Sequence, residues 1–219
     1  MSLSLYAHPF SSYCQKVLIA LYENDLAFEF RLLAPGRDRE AAEHRKRWPL
    51  GRFPVLVDGD RTVVEASIII EHLGVYHPGP VRLVPDDRTA ALDVRMMDRF
   101  FDNYVMTPMQ KIVADSIRTP EHRDDQGVRE ARALLTTAYR WLEGVVKDRA
   151  WAAGDTFSLA DCAAAPALFY ADWVHAIDDS FPSVRAYRVR LLDRPSFARA
   201  VDEARPYRPL FPPGAPDRD

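Results

Sequence analysis

The sequence predicts a mixed α/β domain followed by an all-helical domain. Three observations carry this. Short apolar runs alternate with amphipathic stretches up to about residue 76, a proline- and glycine-rich stretch then interrupts them, and helical periodicity alone continues beyond it. The interruption, His77-Pro78-Gly79-Pro80 to Pro85-Asp86-Asp87, forbids a continuous helix. The expected division is residues 1–77, a linker at 78–86, a helical domain at 87–205 and a proline-rich tail at 206–219.

In chain order, Leu3 to Ala7 reads as a strand, Ser11 to Tyr22 as a helix, Ala27 to Leu33 as a strand and Arg39 to Trp48 as a short helix. Val55 to Asp58 and Thr62 to Val64 follow as strands, then a helix from Glu65 to Tyr76. The first two strands are most simply parallel, and the last two form an antiparallel hairpin, so the sheet is mixed and four-stranded. Beyond the linker, helices are expected at Arg88 to Asp115, Glu121 to Lys147, Ser158 to His175, Val184 to Leu192 and Ser196 to Ala204. Leu134, Ala138, Trp141, Leu142 and Val145 form the buried stripe of the second. Pro108 should kink the first by leaving the Tyr104 carbonyl unpaired. The tail, with Pro206, Pro209, Pro212, Pro213 and Pro216, reads as extended, either docked on the bundle or loose.

A chain of 219 residues can bury roughly 70% of its unfolded surface, so no metal or disulfide is needed for folding. Its 29 basic and 32 acidic residues are dispersed, which argues against a nucleic-acid footprint. Met1 to Tyr6 lack a signal-peptide pattern, and no apolar run approaches the ~18 to 20 residues of a membrane span, so a cytoplasmic location is expected. Cys14 and Cys162 are too few for a disulfide scaffold and lack zinc-site spacing, so no metal is expected.

Three segments carry chemistry. In Tyr6-Ala7-His8-Pro9-Phe10-Ser11-Ser12-Tyr13-Cys14 a strand turns through proline into a helix, whose free N–H groups favour an anion above Ser11. Ser11 and Cys14 have the spacing of a Cys-x-x-Cys motif, but serine in the leading position removes the disulfide chemistry. Ser11 can cap the helix, or it can donate its hydroxyl hydrogen to a bound thiolate. Arg52-Phe53-Pro54-Val55 sets proline before a strand; a cis Phe53-Pro54 bond would turn the Phe53 backbone outward for an extended ligand, while a trans bond would simply open the strand. At Val64-Glu65-Ala66-Ser67 the backbone N–H groups can hold a carboxylate and Glu65 an ammonium, or Glu65 is merely a favourable acid in a first helical turn. Gly154-Asp155-Thr156-Phe157-Ser158 with Asp161 reads as a capping box with Phe157 as its staple, in which Ser158 and Asp161 are structural.

The order and separation of these elements resemble the glutathione transferase superfamily, serine-type and bacterial-like. The resemblance implies a thioredoxin-like N-terminal domain, an all-α C-terminal bundle, a homodimer, and glutathione as co-substrate. It assigns Ser11 to the sulfur, the Phe53 backbone beside Pro54 to the cysteinyl part, Arg52 to the glycyl end, and Glu65 with Ala66 to the γ-glutamyl head. Two residues depart from the common pattern: Ala66 where serine is usual and Phe53 where valine is usual.

A hydrophobic electrophile is expected near Phe10, Phe101, Tyr104 and Met109, where Met96, Met97 and Met106 also crowd one helix. The leading expectation is an enzyme that conjugates glutathione to such an electrophile. The alternatives are a non-catalytic binding or adaptor protein, and a glutathione-dependent isomerase of the maleylacetoacetate isomerase type. That branch is similar at Ser11-Ser12, but Tyr13-Cys14-Gln15-Lys16 departs from it.

Overall fold

The computed structural model describes residues 3–219. The first part runs β1 (Leu3–Ala7), α1 (Ser12–Glu23), β2 (Phe28–Leu32), α2 (Asp38–Arg47), β3 (Val55–Asp58), β4 (Arg61–Val64) and α3 (Ala66–Tyr76). The sheet order is β2-β1-β3-β4; β1 is parallel to β2 and antiparallel to β3, and β3 is antiparallel to β4. The α1 crossover makes the parallel pair sterically accessible, whereas a tight loop forces the antiparallel one. That loop is tighter than expected. Asp58 pairs with Arg61, leaving only Gly59 and Asp60 between the strands, and Gly59 at φ 58° supplies the positive φ of a type II′ loop.

Helix α1 is buried on every side from Val17 to Leu21, since it packs on α3 on one side and on helices of the second part on the other. On the opposite face of the sheet a smaller cluster of Tyr6, Val55 and Val57 is covered by Leu33, Trp48 and Val64. The turn-rich stretch after α3 is irregular, and it is pinned where Asn24 Oδ1 accepts the Val81 N–H at 2.9 Å. Gly79 lies so close that a Cβ there would collide with the Asn24 side chain.

The second part contains α4 (Arg88–Phe100), a π-helical turn (Phe101–Met106), α5 (Thr107–Ser116), α6 (Asp125–Val146), α7 (Leu159–Val174), α8 (Pro182–Leu192) and α9 (Pro195–Ala204). The helix expected over Arg88 to Asp115 is therefore interrupted by a π turn. Thr107 sends its N–H five residues back to the Asp102 carbonyl, and its hydroxyl donates to the same oxygen at 3.0 Å. Pro108 follows at the start of α5, where its missing N–H interrupts the ladder of bonds directly after the π turn.

Two further expectations are corrected. The buried face of α6 consists of Ala131, Leu135, Ala138, Tyr139, Leu142 and Val146, while Leu134 and Trp141 are exposed. The helix is rotated so that Trp141 reaches the rim of Phe100, with ring centroids 4.4 Å apart. The tail is not simply extended: Arg205–Leu210 forms a 3₁₀ turn, and Phe211 is buried against Phe10, Tyr170 and Trp173. Arg218 bonds the Asp172 carboxylate, with Arg188 3.4 Å away on the same oxygen, which ties the tail to α7. Among the described residues, no helix is long and apolar enough to cross a membrane.

Candidate active site

The turn from β1 into α1 is held rigidly. Gln15, fully buried, donates to the Pro9 carbonyl at 3.1 Å, and Tyr170 donates to the Phe10 carbonyl at 3.3 Å. Ser11 is the N-cap of α1 (φ −91°, ψ 125°), and its Oγ accepts the Cys14 N–H at 3.4 Å. A hydroxyl that accepts a cap bond keeps its own hydrogen to donate, so capping and thiolate stabilisation are compatible in one serine. Cys14 is fully buried, and burial pushes its thiol up to about 12 against a weaker pull from Ser11, so it is inert at neutral pH.

The loop before β3 contains a cis Phe53-Pro54 bond. His44, buried beneath it, bonds the Arg52 carbonyl through Nε2 at 2.9 Å and so fixes the segment. Among the described residues no group bonds the Phe53 N–H or carbonyl, which stay available to an extended ligand. Glu65 precedes α3 at φ 69°, a conformation that costs a non-glycine residue on the order of 1–3 kcal/mol and that concentrates at functional sites.

These segments converge. Ser11, Arg52, Phe53, Pro54, Glu65 and Ala66 all line one cleft of about 850 Å³. Among the described residues neither the Arg52 guanidinium nor the Glu65 carboxylate forms an ion pair, so the cleft offers one free charge of each sign. Tyr13 lines it too, and its phenol is pushed up to about 12 by burial and by the Asp102 charge, so near neutrality it remains a donor.

Behind the cleft lies a charged network that the sequence reading missed. Lys16, 1% exposed, sits 2.6 Å from Asp98, 2.8 Å from Asp102 and 2.9 Å from the Ser67 hydroxyl. Arg99 closes the group from the solvent side, bonding Asp98 at 2.8 Å and also Asp102. The Ser67 hydroxyl donates to Asp98 at 2.8 Å. Burial pushes the Asp102 carboxyl upward against the pull of Lys16 and Arg99. The signal was present: a lysine leading into Val17-Leu18-Ile19-Ala20-Leu21, and two aspartates four apart among Met97, Phe100 and Phe101.

The residues expected around an electrophile are not brought together. Phe101 and Met109 belong to the hydrophobic core, because the apolar stripe of α4 and α5 faces α7. Tyr104 is exposed beside Phe100, and Phe10 packs under Tyr170 and Phe211. The cleft wall on that side is instead polar, with Asp102, Asn103 and Gln110.

The sequence matches two family models, the glutathione S-transferase N-terminal domain over residues 5–81 and the C-terminal domain over residues 104–195. The chain belongs to the glutathione S-transferase superfamily. Among individual transferase relatives, the glutathione S-transferase-like protein LUC7 of a Fusarium species is 29% identical over 183 residues, covering 81% of this chain and 83% of that protein. A probable maleylacetoacetate isomerase of Vibrio cholerae is 27% identical, covering 94% of this chain and 98% of its own. A glutathione S-transferase from Methylobacterium radiotolerans, solved with glutathione sulfonate, superposes with a TM-score of 0.79 at 28% identity, covering 92% of this chain and 95% of that one.

The transferase turn ahead of Ser11 also carries a pH response. His8 Nδ1 accepts the Phe10 N–H at 3.1 Å, and burial lowers the His8 pKa below its ordinary 6.5. A depressed cationic pKa contributes stability that is present above the unfolded value and lost as pH falls through it. Urea unfolding should therefore show lower stability at pH 5.5 than at pH 7.5. His8→Asn, which keeps an acceptor but does not titrate, should show a smaller drop.

Proposed function

We propose that the protein is a glutathione transferase in which Ser11 holds bound glutathione as its thiolate for attack on an electrophilic carbon. The observation that carries this is the placing of Ser11 at the N-terminus of α1, in the same cleft as the unpaired charges of Arg52 and Glu65. Glutathione has a complementary layout. Its glycyl carboxylate meets Arg52, its cysteinyl amide pairs with the free Phe53 backbone beside Pro54, and its γ-glutamyl ammonium meets Glu65. The γ-glutamyl carboxylate takes the N–H groups of Ala66 and Ser67 at the start of α3.

On binding, the thiol proton leaves to solvent and the sulfur accepts the Ser11 hydrogen bond. The sulfur lone pair then forms a C–S bond while the leaving group departs with the bonding pair, or, in an addition, the neighbouring carbon takes a proton. Serine stays uncharged throughout. The polar wall of Asn103 and Gln110 supports an electrophile with a polar face rather than the wholly hydrophobic one expected from the sequence. Exposed Val75, Leu92 and Met96 on α3 and α4 support pairing of two copies into a homodimer.

A glutathione titration that follows binding and thiolate absorbance tests this. One charge-assisted bond together with the helix end supports a lowering of one to two pH units, about 1.4 kcal/mol for each. Ser11→Ala should retain binding within a fewfold and raise the bound thiol pKa by that amount, with kcat/KM falling about 10- to 100-fold at pH 6.5. An unchanged thiol pKa refutes the role of Ser11; absence of binding refutes the enzyme and favours an adaptor. Glutathione-dependent isomerisation is a second reading, supported by the 27% identity to the Vibrio cholerae protein, and turnover of a cis-unsaturated diketo acid without consumption of glutathione would select it.

A further inference from the structure

The end of β3 and the end of α3 lie away from the cleft. Pro54 and Ala66 face the cleft, while Asp58 stands at the far end of a four-residue strand and His77 beyond the far end of an eleven-residue helix. At rises of ~3.4 and ~1.5 Å per residue these are separations of roughly 14 and 16 Å. There His72 and His77 both turn Nε2 onto one oxygen of Asp58, at 2.9 and 2.7 Å from Oδ2. One potential ligand atom from each of the three side chains lies within 4.8 Å of the others. The second oxygen, Asp58 Oδ1, is buried with no hydrogen-bond partner. A buried carboxylate oxygen left bare is costly, and in a satisfied hydrogen-bond cluster it has no purpose.

We infer that Asp58, His72 and His77 form a binding site for a divalent cation of the zinc class, separate from the glutathione cleft. Two imidazole nitrogens and a carboxylate are a zinc-type donor set, whereas magnesium and calcium take oxygen ligands. Tetrahedral ligands at ~2.0–2.1 Å from the metal stand about 3.3 Å apart, so the three groups need only small movements to close on an ion. The ion takes the place of the two Nε2 hydrogens. Each neutral ring shifts its proton to Nδ1, the carboxylate supplies the third ligand, and Oδ1 gains a positive partner. His72 is buried and His77 is part-exposed, which leaves the fourth position open to water. Arg61, the register partner of Asp58 on β4, has its guanidinium over the Tyr76 ring at 4.6 Å, and the Tyr76 ring lies tilted against His72 with centroids 4.5 Å apart. An ion here would clamp the β3–β4 hairpin to the end of α3 just before the chain enters the linker.

The test is calorimetric titration of the metal-stripped full chain with zinc chloride at pH 7.5, without glutathione, whose thiol itself binds metals. One equivalent per chain should bind, and the melting temperature should rise with zinc. His77→Gln and Asp58→Asn, each keeping a hydrogen-bonding group of similar size, should weaken binding at least tenfold, while His122→Ala, at an exposed histidine, should leave it unchanged. In the unaltered protein, zinc should move the ring NMR resonances of His72 and His77 and leave those of His8, His44 and His175 in place. Sub-stoichiometric binding, equal affinity in His77→Gln, or shifts confined to the other histidines overturns the inference. None of these outcomes bears on glutathione binding, which is measured separately.

Discussion

Replacing Asp161 with alanine should cost the protein about 3 kcal/mol or more of stability without touching the cleft. Asp161 is fully buried, and its carboxylate accepts from the Ala152 N–H at 2.9 Å, the Ser158 N–H at 2.8 Å, the Ser158 hydroxyl at 3.0 Å and the Tyr187 hydroxyl at 2.6 Å. Burial alone pushes this acid upward, and those four donors pull it back. Truncation removes the acceptor from every donor at once, and each buried donor left bare costs on the order of 1–3 kcal/mol. It also removes the reciprocal half of the cap that starts α7, the helix against which α1 packs. Asp161→Asn separates charge and acceptor from volume, since the amide must turn a donor toward at least one existing donor. Urea unfolding should show both variants destabilised, alanine more than asparagine. A loss under about 1 kcal/mol in both would mean that the box is dispensable.

What was legible in the sequence was whatever a short contiguous segment encodes. Proline and glycine mark the turn before Ser11, the step at Phe53-Pro54 and the interruption after His77, and Ser158 with Asp161 marks the start of α7 within four residues. Each element of the sheet follows from such punctuation. The Lys16 network was not legible, because its members come from α1, α3, α4 and the π turn and only the packed fold makes them neighbours. Asp58, His72 and His77 escaped for the same reason: the two histidines are five apart at the end of α3, and the aspartate comes from the end of β3. The electrophile pocket was misjudged on different grounds. Phe101 and Met109 are apolar residues on a long helix, and the same hydrophobicity that suits a ligand suits the α7 interface, where they are found. The π turn was hidden because proline predicts only that a helical bond is lost, not which wider ring replaces it.

Lys16→Met should be the most damaging single change near the cleft, costing about 3–5 kcal/mol, since it strips the inner cation from two buried carboxylates. Methionine approximates the lysine stem, so packing around α1 is largely kept and the loss reports charge. Arg99, half-exposed, remains as a partner for Asp98 and Asp102, but it approaches from the solvent side and cannot occupy the position between them. The consequence differs with pH in a way that a simple cavity would not reproduce. Asp102 is already pushed upward by burial, and without Lys16 its folded pKa rises further above its unfolded value. An acid whose folded pKa is raised gains relative stability as pH falls, because the folded state then binds the extra proton. The deficit of Lys16→Met against the unaltered protein should therefore shrink between pH 7.5 and pH 5.5 in urea unfolding, whereas Ala20→Gly, a change in the same helix without charge, should keep a constant deficit. Ser67 connects this core to the cleft, since its hydroxyl accepts a hydrogen bond from the Lys16 ammonium at 2.9 Å one residue after Ala66. Loosening it frees the start of α3, which carries N–H groups of the proposed glutathione site, so on that proposal KM for glutathione should rise in Lys16→Met more than kcat falls. If KM stays unchanged while stability drops, the network supports the fold alone.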